Sequence, residues 1–160
     1  MIRKEAMNAP IRPAKRDDAS RLAEIEIFNY RLNFYPIFRN DSFYFQELQV
    51  LPMVEEYFAA PAAIAHTLVY DDGAVKGFLR LEGQEIRKLF VEPVLQGRGI
   101  GAALLEYAVE ARNASCLWAL EANERALRFY RRHGFLPTGE RQPEQGTDQF
   151  LLLLKREIGP

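Results

Sequence analysis

Apolar residues recur with helical and with extended spacing along the 160-residue chain, and this pattern predicts an α/β protein. A short strand is predicted from Ile11. After Asp17, which we expect to cap a helix, apolar residues return every three or four positions. The residues expected on the buried face of this helix are Leu22, Ile25, Phe28 and Leu32. A second helix is predicted from near Pro52 to just before Pro61.

From residue 64 onwards, short apolar runs bounded by turn residues predict strands. The predicted strands are Ile64–Tyr70, Val75–Leu81, Glu85–Val91, Cys116–Leu120, one that opens at Phe135, and Gln149–Leu154. The first two are joined by a tight turn at Asp71, Asp72 and Gly73. After Gln149 the last strand is wholly apolar, which is typical of a strand buried on both faces.

Two further helices are predicted between these strands. The first carries apolar residues at helical spacing, namely Leu104, Leu105, Ala108 and Val109. The second begins after Asn123, a good N-cap, and is closed by Gly134. No repeat or linker interrupts the pattern, so we expect a single domain over residues 1–160, with residues 1–9 as a flexible N-terminal extension.

The amino-acid composition excludes several classes of protein function. With 48% hydrophobic and 27% charged residues, the chain is typical of a globular protein. The net charge of −1 gives no support for nucleic-acid binding, and no apolar run is long enough for a membrane span. One cysteine, Cys116, suits a reducing compartment, so we expect a cytoplasmic protein; a buried structural role is favoured for this thiol. Without a Cys/His cluster we expect no metal; His66 and His133 are expected to be structural or surface residues.

The segment between the strand at 85–91 and the next helix carries three glycines in five positions: Gly97, Gly99 and Gly101. Glycines let backbone amides approach a ligand, and a helix N-terminus adds free N–H groups and partial positive charge. The segment therefore predicts a phosphate or pyrophosphate site. No Lys-Ser or Lys-Thr pair completes a P-loop, and the spacing fails the dinucleotide fingerprint at its third glycine.

The pattern Gln96-x-x-Gly99-x-Gly101 resembles the acyl-CoA signature of the GCN5-related N-acetyltransferases. A second block, Asn123-x-x-Ala126-x-x-Phe129-Tyr130-x-x-x-Gly134-Phe135, strengthens the resemblance, which covers residues 11–155. It implies a central mixed, mostly antiparallel sheet of about seven strands flanked by about four helices. It also implies an acetyl-CoA-dependent N-acetyltransferase in which a primary amine attacks directly within a ternary complex. The alternative is a non-catalytic acyl-CoA-binding or sensory domain on the same fold.

The resemblance implies that coenzyme A lies along the central strand and the glycine loop. The residues implied to bind it are Leu89, Phe90, Val91, Gln96, Gly97, Arg98, Gly99, Ile100, Gly101, Ala102, Asn123 and Phe129. In the family, the loop amides hold the pyrophosphate and the strand backbone pairs with the pantetheine amides. Arg98 is equally an exposed loop charge, and Asn123 is a helix cap whether or not it also contacts coenzyme A.

Acetyl transfer needs a neutral amine and a proton for the departing thiolate. By resemblance, Tyr130 points at the acyl-CoA sulfur and is the candidate general acid; packing of its ring is compatible with that role. Glu85, eleven residues before Gln96, resembles the base glutamate of the histone acetyltransferases in this superfamily, or is a solvated strand-end charge. Trp118 stands where other members carry a base, which leaves Glu121, with Glu82 more remote, or bulk water as alternatives.

Ten of the chain's nineteen aromatic residues fall between Phe28 and Phe58. In the family this region forms one wall of the acceptor site. The candidates to line a pocket for an apolar or aromatic amine are Tyr30, Phe34 and Tyr35, with Phe38 and Tyr44. Core packing with a dimer contact is the competing interpretation. The expected partners are a small-molecule or peptide amine and, in the dimer interpretation, a second copy of the chain.

Overall fold

The computed structural model describes residues 8–157, so most of the expected N-terminal extension lies outside the described residues. The strands are β1 (Ile11–Pro13), β2 (Thr67–Asp71), β3 (Val75–Glu82), β4 (Glu85–Val91), β5 (Cys116–Leu120), β6 (Phe135–Pro143) and β7 (Phe150–Arg156). The helices are α1 (Ala19–Asn33), α2 (Tyr35–Phe38), α3 (Val50–Ala59), α4 (Pro61–Ala65), α5 (Ile100–Arg112) and α6 (Glu124–Arg132). Two 3-10 turns cover Arg16–Asp18 and Pro93–Leu95, and a π-helical turn covers Phe43–Glu47.

The seven strands form one sheet in the order β1-β2-β3-β4-β5-β7-β6. Every neighbouring pair is antiparallel except β4 and β5, which are parallel. The predicted α/β class and the mixed, mostly antiparallel sheet are therefore confirmed. Four of the helices have nine residues or more, as the sequence predicted, and two short helical segments add to them.

Helices cover both faces of the sheet. Successive residues of a strand point to opposite faces, and on β3 the side chain of Leu79 packs with α5 residues, whereas that of Phe78 packs with α1 residues. Both side chains are fully buried. Burial of a side chain of this size contributes about 1.5–3 kcal/mol relative to exposure. The helix that follows the glycine loop is thus fixed to the sheet directly beside β4.

Within the described residues, the predicted caps and turns are largely confirmed. Gly73 turns the β2–β3 hairpin with a φ of +120°. Asn123 caps α6, where its Oδ1 accepts the Ala126 N–H at 3.3 Å. The prediction that Asp17 caps the first helix was wrong by one residue, because a 3-10 turn precedes α1 and Asp18 takes the cap position. No helix in the part of the chain that is described is long and apolar enough to cross a membrane.

The predicted buried face of α1 was half wrong. Leu22 and Ile25 are buried, but Phe28 is 41% and Leu32 48% exposed. At roughly 100° per residue, Phe28 lies about 120° around the helix from Leu22. The buried face instead continues through two polar residues, which are Glu26 and Asn29, each 2% exposed.

Three boundary and burial predictions also differ from the structure. Pro61 does not only end a helix; it starts α4, a role that suits its fixed φ at a first-turn position. The strand predicted from Ile64 therefore begins at Thr67. In β7 only Leu153 and Leu154 are fully buried, and Cys116, expected to be buried, is half-buried.

Candidate active site

A cleft of about 1490 Å³ opens where β4 and β5 diverge. These strands pair only at Glu85 with Cys116 and at Ile86 with Leu117. Beyond those residues β4 and β5 continue without pairing with each other. The cleft is lined by both strands, by α1, α2, α5 and α6, and by the β6–β7 loop. We call the space between the unpaired parts of β4 and β5 the gap. A gap of this kind leaves strand backbone free to bind an extended ligand.

The backbone groups of β4 that face the gap follow from the register with β3. The Glu92 N–H donates to the Lys76 carbonyl at 2.9 Å, and Phe78 pairs with Phe90. Because the groups of alternate residues point to opposite sides of an antiparallel strand, the backbone of Phe90 points towards β3. The backbones of Leu89 and Val91 point into the gap. Phe90 therefore lines the cleft with its side chain and not with its backbone groups.

Two side-chain amides fix the end of β4 to α1. Asn29 donates through Nδ2 to the carbonyls of Ile25, at 2.8 Å, and Val91, at 2.9 Å. Gln96 donates through Nε2 to the same Val91 carbonyl at 3.2 Å and to Asn29 Oδ1 at 3.1 Å. The amide of Gln96 is therefore engaged inside the protein. The carbonyl of Val91 is already occupied by these two donors. The N–H of Val91 and both the N–H and the carbonyl of Leu89 remain open to a ligand.

We expect Asn29→Ala to lower the free energy of unfolding by about 1–3 kcal/mol, because the carbonyls of Ile25 and Val91 each lose one hydrogen bond and Gln96 loses one acceptor. Urea denaturation measures the change. Asn33→Ala is the matched control, since its amide makes one 3.3 Å hydrogen bond, to Asn29, at the helix end. Equal stability of the Asn29 and Asn33 variants would contradict the anchoring role.

The glycine loop leads into α5 and lines the same cleft. Gly97 and Gly99 have φ values of +82° and +85°, a region that favours glycine. Helix α5 begins at Ile100, and its first-turn N–H groups have no acceptor within the helix. All three glycines line the cleft, together with Ile100 and Ala102, whereas Arg98 is exposed and lies outside its lining.

Three arginines of α6 line the cleft as well, and the sequence analysis did not identify them. They are Arg125, Arg128 and Arg132. Their spacing of three and four residues places them on one side of the helix, which was a signal available in the sequence. Among residues 8–157, the carboxylate that Arg128 approaches is that of the exposed Glu124, at 3.9 Å. Positive charge therefore lies beside the glycine loop and favours an anionic ligand.

Tyr130 lines the cleft from α6. Its ring meets those of Phe129 at 5.2 Å and Phe135 at 6.1 Å, both edge to face. Burial raises its pKa, and no hydrogen bond within the described residues counteracts this. A phenol in this setting stays protonated and has its proton free for a group in the cleft. Asn123 and Phe129 also line the cleft.

The carboxylates considered as bases lie outside the cleft lining. Glu85 Oε2 accepts from Arg87 Nη1 at 2.6 Å, and Glu82 approaches the same guanidinium at 3.5 Å. Glu121 is bound by Arg141 at 2.9 Å. Glu85 nevertheless lies on β4 itself, one residue before Ile86, the last residue of this strand that pairs with β5.

Aromatic rings form one side of the cleft, which we call the aromatic wall. Its members are Tyr30, Phe34, Phe38, Phe43 and Tyr44. Tyr35, expected among them, does not line the cleft; its hydroxyl donates to Asp41 at 2.6 Å on the surface. The Tyr30 hydroxyl points away from solvent and donates to Glu26 at 2.8 Å. The wall thus presents mainly ring surface to a ligand.

A buried polar cluster behind this wall was missed from the sequence. Glu26 accepts hydrogen bonds from the hydroxyls of Tyr30 and Tyr57, both at 2.8 Å, and from Lys88 Nζ at 2.6 Å. Lys88 lines the cleft. The only sequence signal was the position of Glu26, four residues after Leu22 and between two isoleucines, where a helix buries its side chains.

Comparisons with known proteins agree with this geometry. A family model described as "Acetyltransferase (GNAT) domain" matches residues 63–137. Peptidyl-lysine N-acetyltransferase YjaB of Escherichia coli is 32% identical over 83 residues, or 52% of this chain and 56% of that protein. For the Salmonella typhimurium protein of the same name the match is 33% over 58% of this chain and 64% of the relative. The matches therefore span less than two thirds of these relatives.

Solved structures show the same fold across nearly the whole chain. An N-acetyltransferase from Staphylococcus aureus Mu50 superimposes with a TM-score of 0.72 at 18% identity, over 91% of this chain and 98% of that one. yncA of Salmonella typhimurium, a putative acetyltransferase solved with acetyl-CoA, gives 0.62 at 21% identity over 93% of each chain. The resemblance found in the motifs is thus confirmed: residues 63–137 match the GNAT acetyltransferase domain, and the chain has the GNAT fold.

Proposed function

We propose that the protein is an acetyl-CoA-dependent N-acetyltransferase that acetylates a primary amine by direct attack in a ternary complex. One observation carries the proposal: the gap between β4 and β5 exposes the backbone of Leu89 and Val91 and ends at the free amides of α5. An extended thioester ligand with amides along its arm and phosphates at one end matches this arrangement.

The chain offers separate partners for the phosphates and for the pantetheine arm of acetyl-CoA. The glycine loop and the N-terminus of α5 suit the pyrophosphate, and the arginines of α6 add positive charge for the phosphates. The Leu89 and Val91 backbone groups suit the pantetheine amides. yncA, a structural neighbour, was solved with acetyl-CoA, which supports this placement.

When bound, acetyl-CoA supplies an activated acetyl group. The amine nitrogen forms a bond to the carbonyl carbon, and the carbon–sulfur bond breaks. Tyr130 gives its proton to the sulfur, since it is a protonated phenol facing the cleft. Glu85 takes the amine proton through an intervening water, because its carboxylate lies outside the cleft lining.

For the acceptor, the candidates are a small-molecule amine and the lysine side chain of a peptide. Relatives are named peptidyl-lysine N-acetyltransferases, which supports the second candidate. The aromatic wall supports an amine with an apolar or aromatic body.

A panel of amines and lysine peptides, assayed for coenzyme A release with mass spectrometry of the products, tests the function. Acetylated product from at least one acceptor is expected. Acetyl-CoA binding by calorimetry without product from any acceptor would instead identify a non-catalytic acyl-CoA-binding domain.

Glu85→Gln should lower turnover by at least about tenfold near pH 7. A directly placed base contributes roughly 10²–10⁴-fold, and a base that acts through water can contribute less. At higher pH more of the acceptor amine is already neutral, so the deficit should shrink. A pH–rate profile with one identified amine measures this. Glu121→Gln is the control and should follow the parent enzyme. Superimposable profiles for Glu85→Gln and the parent would leave bulk water as the proton acceptor.

A further inference from the structure

The buried cluster behind the aromatic wall carries an unbalanced positive charge. Its carboxylate is Glu26, and its cations are Lys88 and Arg80. Arg80 donates only to the hydroxyls of Tyr57, at 2.6 Å, and Thr67, at 3.0 Å, in the part of the chain described. Burial, first of all, and then the charge of Glu26 raise the pKa of Tyr57, so this phenol stays neutral. The cluster therefore holds two cations against one anion.

Lys88 is the member of this cluster that reaches the cleft. Its side chain is 28% exposed, whereas that of Glu26 is 3% exposed. An ammonium has three donors, and Lys88 uses one of them on Glu26. The other two have no acceptor among the described residues, and Lys88 lines the cleft. A ligand in the cleft thus meets two free N–H donors of a cluster whose net charge is positive.

The position of Lys88 along β4 places this charge at the reacting end of the gap. The last pair between β4 and β5 includes Ile86, so the gap begins next to Lys88. At about 3.3 Å per residue, Lys88 lies roughly 10 Å along β4 from Val91, where the phosphate end of the cleft starts. The side chain of Lys88 is on the α1 side of the sheet, with the ring of Phe90, which meets Tyr30 at 5.4 Å.

Other charged residues around the cleft increase the difference in charge between the end at Lys88 and the side formed by the β6–β7 loop. Arg87, which also lines it, is matched by two carboxylates, Glu85 and Glu82. On the β6–β7 loop, by contrast, Glu144 and Asp148 line the cleft at its solvent side. An acceptor carboxylate is therefore repelled at this loop and attracted at Lys88, whereas the arginines of α6, which also line the cleft, are the groups proposed for the phosphates of coenzyme A. An ammonium group alone is disfavoured beside Lys88 by like charge.

We infer that the acceptor is an amine with a carboxylate close to the amino group, as in an α-amino acid, and that Lys88 binds this carboxylate. The inference rests on the proposed acetyl transfer and names its substrate class. Lys88 is a specificity residue in this scheme, and Glu26 positions its side chain. The aromatic wall then contacts the body of the amino acid.

Phenylalanine and phenethylamine form a matched acceptor pair, because they differ only in the carboxylate. A lysine peptide with blocked termini is the third acceptor. For each, kcat/KM is measured with the parent enzyme, Lys88→Met, Glu26→Gln and the double variant. The preference for phenylalanine over phenethylamine should fall roughly 10- to 100-fold in Lys88→Met, as expected for a hydrogen bond to a charged group. The ratio of kcat/KM for the two acceptors is compared between the variants and the parent enzyme. The different basicities of the two amines cancel in this comparison.

The other variants separate charge from folding. Lys88→Met leaves Glu26 buried without its cation, whereas the double variant Lys88→Met, Glu26→Gln removes both charges and should lose the preference equally. Glu26→Gln alone keeps the Lys88 charge and should keep the preference. Loss of the preference in Glu26→Gln alone would overturn the inference.

An equal fall in kcat for all three acceptors in Lys88→Met would also overturn it, since Lys88 would then act on the thioester. The same holds for an unchanged preference, or for a parent enzyme that acetylates the blocked lysine peptide better than phenylalanine. In those cases acetylated product still forms, and the proposed function stands. Absence of product from every amine would overturn both.

Discussion

Tyr130→Phe should reduce turnover by roughly 10²–10⁴-fold, the usual contribution of a general acid, and leave the affinity for acetyl-CoA nearly unchanged. The ring remains, so its edge-to-face contacts with Phe129 and Phe135 are kept. Only the proton that the departing sulfur needs is lost. A loss confined to the transition state lowers kcat and kcat/KM together.

The environment of Tyr130 supports this role in a specific way. Burial raises the pKa of the phenol, so it is protonated throughout the neutral and moderately alkaline range. The same desolvation disfavours a free thiolate and raises its proton affinity. A thiolate leaving next to Tyr130 therefore draws the proton more strongly than it would in water.

Single-turnover kinetics and acetyl-CoA calorimetry measure the two effects separately. Tyr70→Phe is a matched control, because Tyr70 is half-buried on β2 and lies outside the cleft lining. It should retain normal turnover. If Tyr130→Phe keeps full turnover with chemistry rate-limiting, the residue serves packing alone.

Local patterns predicted most of the fold. Strands bounded by Gly, Pro and Asp-Asp turns appeared within a few residues of their predicted positions, because each buries a short apolar run. The buried face of α1 was not predictable by the same rule. Its core side includes Glu26 and Asn29, whose burial depends on partners up to 67 residues away in sequence. Hydrophobic periodicity contains no information about such partners.

The candidate site also has features that local sequence patterns predicted and features that they did not. The glycine loop was visible because its backbone needs glycine at positive φ, a local requirement. Glu85 pairs with Arg87 at an irregular register between β3 and β4, where Arg80 opposes Lys88 but Leu81 opposes Ile86. A bulge of this kind redirects a side chain without leaving a clear mark in the sequence. Lys88 was not predicted as a site residue, because the role inferred for it depends on the buried carboxylate of Glu26 behind it.

Gly99→Glu should lower the affinity for coenzyme A by about 100-fold or more, equivalent to at least about 2.7 kcal/mol. Gly99 lines the cleft immediately before α5, and a Cβ built there meets no protein atom within 4 Å. The new side chain is thus free to enter the space proposed for the pyrophosphate. Its carboxylate would also neutralise the helix N-terminus that attracts anions.

Two controls separate this effect from backbone strain, because φ at Gly99 is +85° and any side chain there is disfavoured. Gly99→Ala introduces the strain without the charge and should weaken binding far less. Gly139→Glu introduces both at a φ of +93°, in open space outside the cleft lining, and should bind coenzyme A normally. Calorimetry on variants shown to be folded by circular dichroism compares the three. Parent-like affinity in Gly99→Glu would mean that the glycine loop does not hold the phosphates, and the proposed placement of coenzyme A would have to be abandoned.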